Sequence, residues 1–65
     1  MLFKSLYIAE TFEAGLAVGS LRSFLASNCA GELRVVKRNG SIEVELMVHN
    51  PLVMSYCEEK LAAFV

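Results

Sequence analysis

The chain has no aspartate and no tryptophan, and only one histidine, one proline and two cysteines in its 65 residues. Each scarcity closes a class of chemistry. With no aspartate and with His49 as the sole imidazole, a Ser-His-Asp triad cannot be assembled. A Cys-His pair would need Cys29 or Cys57 to meet His49 by packing alone. The two cysteines form no C-x-x-C pair and, with one histidine, fall short of a spaced metal-ligand set. Neither the stretch "AGLAVG" nor the Asn39-Gly40 pair carries the Lys and Ser/Thr of a phosphate loop. The expectation is a non-catalytic protein with no cofactor and no metal.

Excess charge is also missing. Six Lys/Arg stand against seven glutamates, a formal net charge of −1, whereas strongly electrostatic nucleic-acid and membrane binders lean basic. No long apolar run is present either: the longest mostly apolar segment, Ala14 to Ala26, is broken by Arg22 and Gly15 and Gly19 and is shorter than the roughly 20 residues of a membrane span. The N-terminal stretch lacks the basic region, apolar core and small-residue cleavage site of a signal peptide. Reduced thiols, a cytoplasmic location and no membrane association are therefore expected. Without repeats, low-complexity tracts or linkers, residues 1–65 read as a single small domain.

Apolar material, by contrast, is abundant. Hydrophobic residues make up 55% of the chain and mean hydropathy is +0.50, yet a domain of this size buries only about 60% of the surface its unfolded chain exposes. Some apolar surface is left for a second subunit or a partner, since small scaffolds without disulfides or metals gain stability by association.

The most legible stretch is "KRNGSIEVEL", residues 37–46, in which Asn-Gly separates two alternating runs. A type I′ hairpin turn needs positive φ at both central residues, which Asn and Gly tolerate best. Making Asn39-Gly40 the loop pairs Arg38 with Ser41, Lys37 with Ile42, Val36 with Glu43, Val35 with Val44, Arg34 with Glu45 and Leu33 with Leu46. Alternation then puts Leu33, Val35, Ile42, Val44, Leu46 and Val48 on one face, with Lys37 at its rim. The other face carries Arg34, Val36, Arg38, Glu43, Glu45, Met47 and His49, with Arg34 and Glu45 placed as a cross-strand ion pair.

"LFKSLYIAE" reads as a strand with Leu2, Lys4, Leu6 and Ile8 on one side and Phe3, Ser5 and Tyr7 on the other, although so short an apolar run also fits a helical turn or two. From Thr11, an N-cap candidate, the spacing becomes helical: Ala14, Ala17, Val18, Leu21, Phe24 and Leu25 form one stripe, and Asn28 is a stop before Gly31. Away from that stripe sit Gly15, Gly19 and Ser23, flanked by Phe12 and Leu16. Two glycines inside a helix cost about 1 kcal/mol each relative to alanine. Either they admit another backbone at close range, as in helix pairs, or the helix begins late, near Leu16, and the glycines lie in its frayed start.

Asn50 and Pro51 end the last strand near His49 and open a helix running to about Phe64, whose stripe is Val53, Met54, Cys57, Leu61 and Phe64. Cys57 therefore reads as a small core residue, Cys29 as a loop thiol and His49 as a strand-end residue. The assembled fold class is α/β, an α+β two-layer sandwich in the order strand-helix-strand-strand-helix, with a three-stranded sheet and both helices on one face. The order is similar to the RNA-recognition or ferredoxin-like pattern short of its last strand, a likeness of topology without an RNP-like motif. A missing fourth strand leaves an edge that a second chain could occupy.

Two binding functions remain. The favoured one is a protein interaction module: a homodimer, or a small regulator or inhibitor that covers a surface of a larger partner. The other is a nucleic-acid binder that stacks bases on Phe3 and Tyr7 and takes phosphates with Arg34 and Arg38, a reading opposed by Glu43 and Glu45 on the same face. The candidate interaction residues are Phe3, Tyr7, Arg34, Val36, Arg38, Glu43, Glu45 and Met47 on the sheet, and Phe12, Gly15, Leu16, Gly19 and Ser23 on the first helix.

Overall fold

A computed structural model describes residues 1–65. It contains β1 (Leu2–Ala9), α1 (Phe12–Ser27), β2 (Gly31–Arg38), β3 (Ser41–Val48) and α2 (Pro51–Leu61), followed by a 3₁₀ turn at Ala62–Phe64. The sheet order is β1-β3-β2, with both pairings antiparallel, so the last strand of the chain lies in the middle. The N-terminal stretch is thus a strand from Leu2 to Ala9 and not a helical turn.

The hairpin forms in the expected register, from Arg38 opposite Ser41 to Leu33 opposite Leu46. Asn39 and Gly40 have φ of 38° and 84°, as a type I′ turn requires. The Ser41 hydroxyl closes the corner by donating to the Arg38 carbonyl at 3.1 Å. Because side chains alternate along a strand, the same register buries Ile42, Val44, Leu46 and Val48 and turns Glu43, Glu45 and Met47 the other way.

Helix α1 starts at Phe12 and runs through both glycines, so the late start near Leu16 is overturned. The reason lies at its N-terminus, where the Thr11 hydroxyl accepts from the Ala14 amide at 3.1 Å and fixes the first turn ahead of Gly15. Ala14, Val18, Leu21 and Leu25 enter the core, while Ala17 and Phe24 are half-buried beside it. Phe24 meets Tyr56 of α2 with ring centroids 4.9 Å apart. In α2, Asn50 accepts from the Leu52 amide at 2.7 Å and Pro51 occupies the first turn. The α-helix stops at Leu61, earlier than expected, and the remaining residues to Phe64 tighten into the 3₁₀ turn.

One cluster of 13 buried residues joins both helices to one face of the sheet, α1 lying over β2 and α2 over β3 and β1. The core face of β1 is less covered than its pattern implies: Ile8 is buried, but Leu2 remains 40% exposed. Lys4, on the same face, stretches its amine to Glu58 of α2 at 2.7 Å, which keeps the charge in water while the stem covers apolar surface.

The helix stop expected at Asn28 is where α1 ends, with Asn28 as its cap, but two backbone features beyond it are not anticipated by the sequence reading. The first is the exit from α1. The Ala30 amide donates to the Leu25 carbonyl at 2.9 Å and the Cys29 amide to that of Ala26 at 3.3 Å, a Schellman motif with Asn28 as the cap. Its left-handed position is filled by Cys29, with φ of 49°, where glycine is the usual residue. The second is Gly31, with φ of 151°, at which an added Cβ would collide with the Met47 carbonyl and lie 2.8 Å from the Val48 Cα. Only glycine lets the chain leave the helix and press directly onto β3.

Candidate functional site

The sheet has one helix-covered face and one bare face. On the bare face the two registers stack side chains in rows across β1, β3 and β2: Phe3, Met47 and Glu32; then Ser5, Glu45 and Arg34; then Tyr7, Glu43 and Val36; then Ala9, Ser41 and Arg38. All eight sheet residues proposed from the sequence, Phe3, Tyr7, Arg34, Val36, Arg38, Glu43, Glu45 and Met47, therefore share this surface. The five helical ones do not join them. Phe12, Gly15, Leu16, Gly19 and Ser23 are exposed on α1, in the layer behind the sheet.

The charges at the centre of the bare face are internally matched, whereas Glu32 at its β2 end has no ion-pair partner. Arg34 Nε lies 3.4 Å from Glu45 Oε1, and Arg38 Nε lies 3.7 Å from Glu43 Oε1. Ser5 adds its hydroxyl, donating to Glu43 Oε2 at 3.3 Å. The carboxylates sit low, the Glu43 side chain being only 14% exposed, while the arginines extend over them with about two-thirds of their side chains in solvent. Exposed pairs of this kind contribute no more than about 1 kcal/mol each to stability. Their effect here is on surface chemistry, since neither arginine is a free cation and neither carboxylate a free anion. Beside this neutralised centre, Phe3 and Tyr7 each stand 59% exposed on β1.

The second surface is the outer side of α1. At 100° per residue Phe12, Leu16 and Ser23 point away from the core, and Phe12 is 77% and Leu16 58% exposed. Gly15 and Gly19 lie on the flank toward β2. Within this chain nothing comes within 4 Å of a Cβ built at either one, so no backbone of its own exploits the space. They open a groove of about 520 Å³ between α1 and β2, bounded by Arg22, Val35 and Lys37. The Lys37 amine pairs with Glu10 at 3.4 Å.

Ser5 was not singled out by the sequence, yet it sits between Phe3 and Tyr7 and touches Glu43. Its contact depends on the β1–β3 register, which no turn announces because the two strands are distant in the chain. The isolated titratable groups are accounted for by their positions. His49 is exposed beyond β3 and its amide donates to the Ala30 carbonyl at 3.3 Å. Burial, with a smaller contribution from the neighbouring Glu58 carboxylate, pushes the Cys57 thiol above its ordinary value, whereas Cys29 is exposed. No group of three or more His, Cys, Asp or Glu side chains is arranged to hold a metal ion. No helix is long and apolar enough to cross a membrane.

Set against protein-family models, curated proteins and solved structures, the chain shows no significant match to any of them.

Proposed function

We propose that this chain is a non-catalytic protein interaction module that self-associates as a homodimer and acts in the cytoplasm as a regulator or inhibitor by covering a surface of a larger partner. The observation that carries the proposal is the bare sheet face, on which exposed Phe3 and Tyr7 flank a centre whose charges are already matched by Arg34–Glu45 and Arg38–Glu43. Apolar and aromatic side chains with few unpaired charges are the composition of an interface core. The wider inventory points the same way, with Met1, Leu2, Phe12, Leu16, Leu52 and Val65 all substantially exposed in a chain of 65 residues. Two unpaired thiols, Cys29 and Cys57, suit a reducing compartment.

The nucleic-acid reading keeps its stacking surface in Phe3 and Tyr7, but Arg34 and Arg38 would have to exchange glutamates for phosphates. Since phosphate neutralisation supplies most of nucleic-acid affinity, it is the weaker reading. Sedimentation over a range of concentrations, paired with a low-salt mobility-shift assay on mixed single- and double-stranded nucleic acid, separates the two. A dimer at micromolar concentration with no shift is expected; a monomer that shifts nucleic acid would replace the proposal with its rival.

A further inference from the structure

The sheet has two free edges, and they are not alike. β2 carries Glu32, Arg34, Lys37 and Arg38, the charged dress that natural proteins give an edge strand to keep other strands off it. β1, "LFKSLYIA", pairs with β3 residue for residue from Leu2 to Ala9 without a bulge and contains no proline. Its single charge, Lys4, is drawn to Glu58 at 2.7 Å. No segment of this chain runs along its outer side.

The hydrogen-bond alternation says which groups that edge presents. In a hairpin with a two-residue loop, Arg38 and Ser41 are the closing hydrogen-bonded pair, so odd-numbered residues of β3 bond β2 and even-numbered ones bond β1. The flanking bonds agree: the His49 amide donates to Ala30, and the Glu10 amide to the Gly40 carbonyl. Leu2, Lys4, Leu6 and Ile8 are thus bonded inward to β3, and Phe3, Ser5 and Tyr7 turn amide and carbonyl outward. Ala9 is excluded, because its carbonyl already accepts from the Thr11 amide at 3.1 Å.

We infer that a second copy of this chain occupies that edge, its β1 antiparallel to the first about a two-fold axis through Ser5, giving one continuous six-stranded sheet. The inference rests on the homodimer proposed above and names its interface. With the axis at Ser5, each Phe3 bonds Tyr7 of the other copy, the two Ser5 residues bond each other, and every outward group is used. The same register sets Phe3 beside Tyr7 across the junction on the bare face, an aromatic cross-strand pair of the kind that stabilises sheets. Each Lys4, held by its own Glu58, faces Leu6. Moving the axis to Lys4 would bring the two lysines face to face; moving it to Leu6 would set Phe3 against the occupied carbonyl of Ala9. The chain is self-complementary at one register, which is the requirement of a two-fold interface.

The test is amide exchange on the intact protein, with two variants. At concentrations where sedimentation shows a dimer, the amides of Phe3, Ser5 and Tyr7 are expected to be protected together with those of the inward-bonded Leu2, Lys4, Leu6 and Ile8. Ser5→Pro removes the outward amide donor, a change edge strands tolerate, together with the hydroxyl that donates to Glu43 Oε2 at 3.3 Å, and is expected to keep the fold by circular dichroism while raising the dimer dissociation constant at least ten-fold. Ser5→Cys in a Cys29→Ser background should oxidise to a covalent dimer, since hydrogen-bonded pairs sit about 5.5 Å apart at Cα, within the roughly 4.4–6.8 Å reach of a disulfide. Ser23→Cys in that background should not. A dimer in which the three outward amides exchange freely and the Ser5→Cys variant fails to cross-link overturns the edge and leaves the homodimer standing, with its interface on the bare sheet face or on α1. A monomer at high micromolar concentration overturns both. Should Ser5→Pro unfold, exchange and cross-linking still decide.

Discussion

β2 begins and ends at corners where the backbone takes positive φ, and the two are built from opposite materials. At its end, Asn39 and Gly40 are the residues best suited to the conformation they hold, and their φ values of 38° and 84° cost little. At its beginning, the left-handed position is held by Cys29 at φ 49°, and Gly31 at φ 151° is locked against the backbone of β3. The first corner sets a register; the second ends a helix and presses a strand into place. A corner made of favoured residues announces itself in the sequence, whereas one made of a disfavoured residue and a crowded glycine does not.

The widest separation to test lies in the register that the Asn39-Gly40 corner imposes. Val44, with 0% exposure, and Glu43, its neighbour on the bare face, differ by one position. Val44→Asp should unfold the chain, because an unpaired buried carboxylate costs several kcal/mol against a total stability of about 3–10 kcal/mol for a domain this size. Glu43→Ala should shift it by no more than about 1 kcal/mol. Urea titrations followed by circular dichroism measure both, and equal tolerance would break the register.

Next comes Gly31→Ala, expected to destabilise by about 3 kcal/mol or more, since a backbone collision adds to the roughly 1–3 kcal/mol of a strained φ. Gly40→Val should cost about 1–3 kcal/mol from strain alone, there being nothing within 4 Å of its Cβ position. Thermal melts of the two variants side by side would show whether the crowded corner is the more sensitive one; a larger loss at Gly40 would reverse the contrast. The smallest effect has the opposite sign. Cys29→Gly should raise stability by about 0.5–1 kcal/mol, as the left-handed penalty disappears and part of the gain is returned as unfolded-chain entropy. A loss there would mean that the Cys29 side chain makes a contact worth more than the strain.

The hairpin was legible because turn chemistry and two-residue alternation independently demand the same pairing, and α2 because Asn50-Pro51 both stops a strand and caps a helix. The course of α1 through its glycines was half legible: the stripe from Ala14 to Leu25 marked the helix, but only the Thr11–Ala14 bond settles where it starts. The rows of the bare face needed the β1–β3 register, which follows from tertiary packing and not from any local signal. The neutralisation of Arg38 by Glu43 was hidden for the same kind of reason. They are diagonal neighbours across the strands, and only Arg34 and Glu45 face each other directly.

The central place of β3 also governs the order in which the sheet can be built. β1 is made first, but the strand it pairs with, Ser41–Val48, follows about 40 residues later, roughly 2–8 s of synthesis at about 5–20 residues per second. The β2–β3 ribbon needs only its own short loop to close, whereas docking β1 closes a loop that contains α1 and β2. Phe3, Tyr7 and Ile8 therefore have no strand to pair with until β3 is made, and the capture of β1 closes the longer of the two loops, the step that loop-closure entropy is expected to make the slower one.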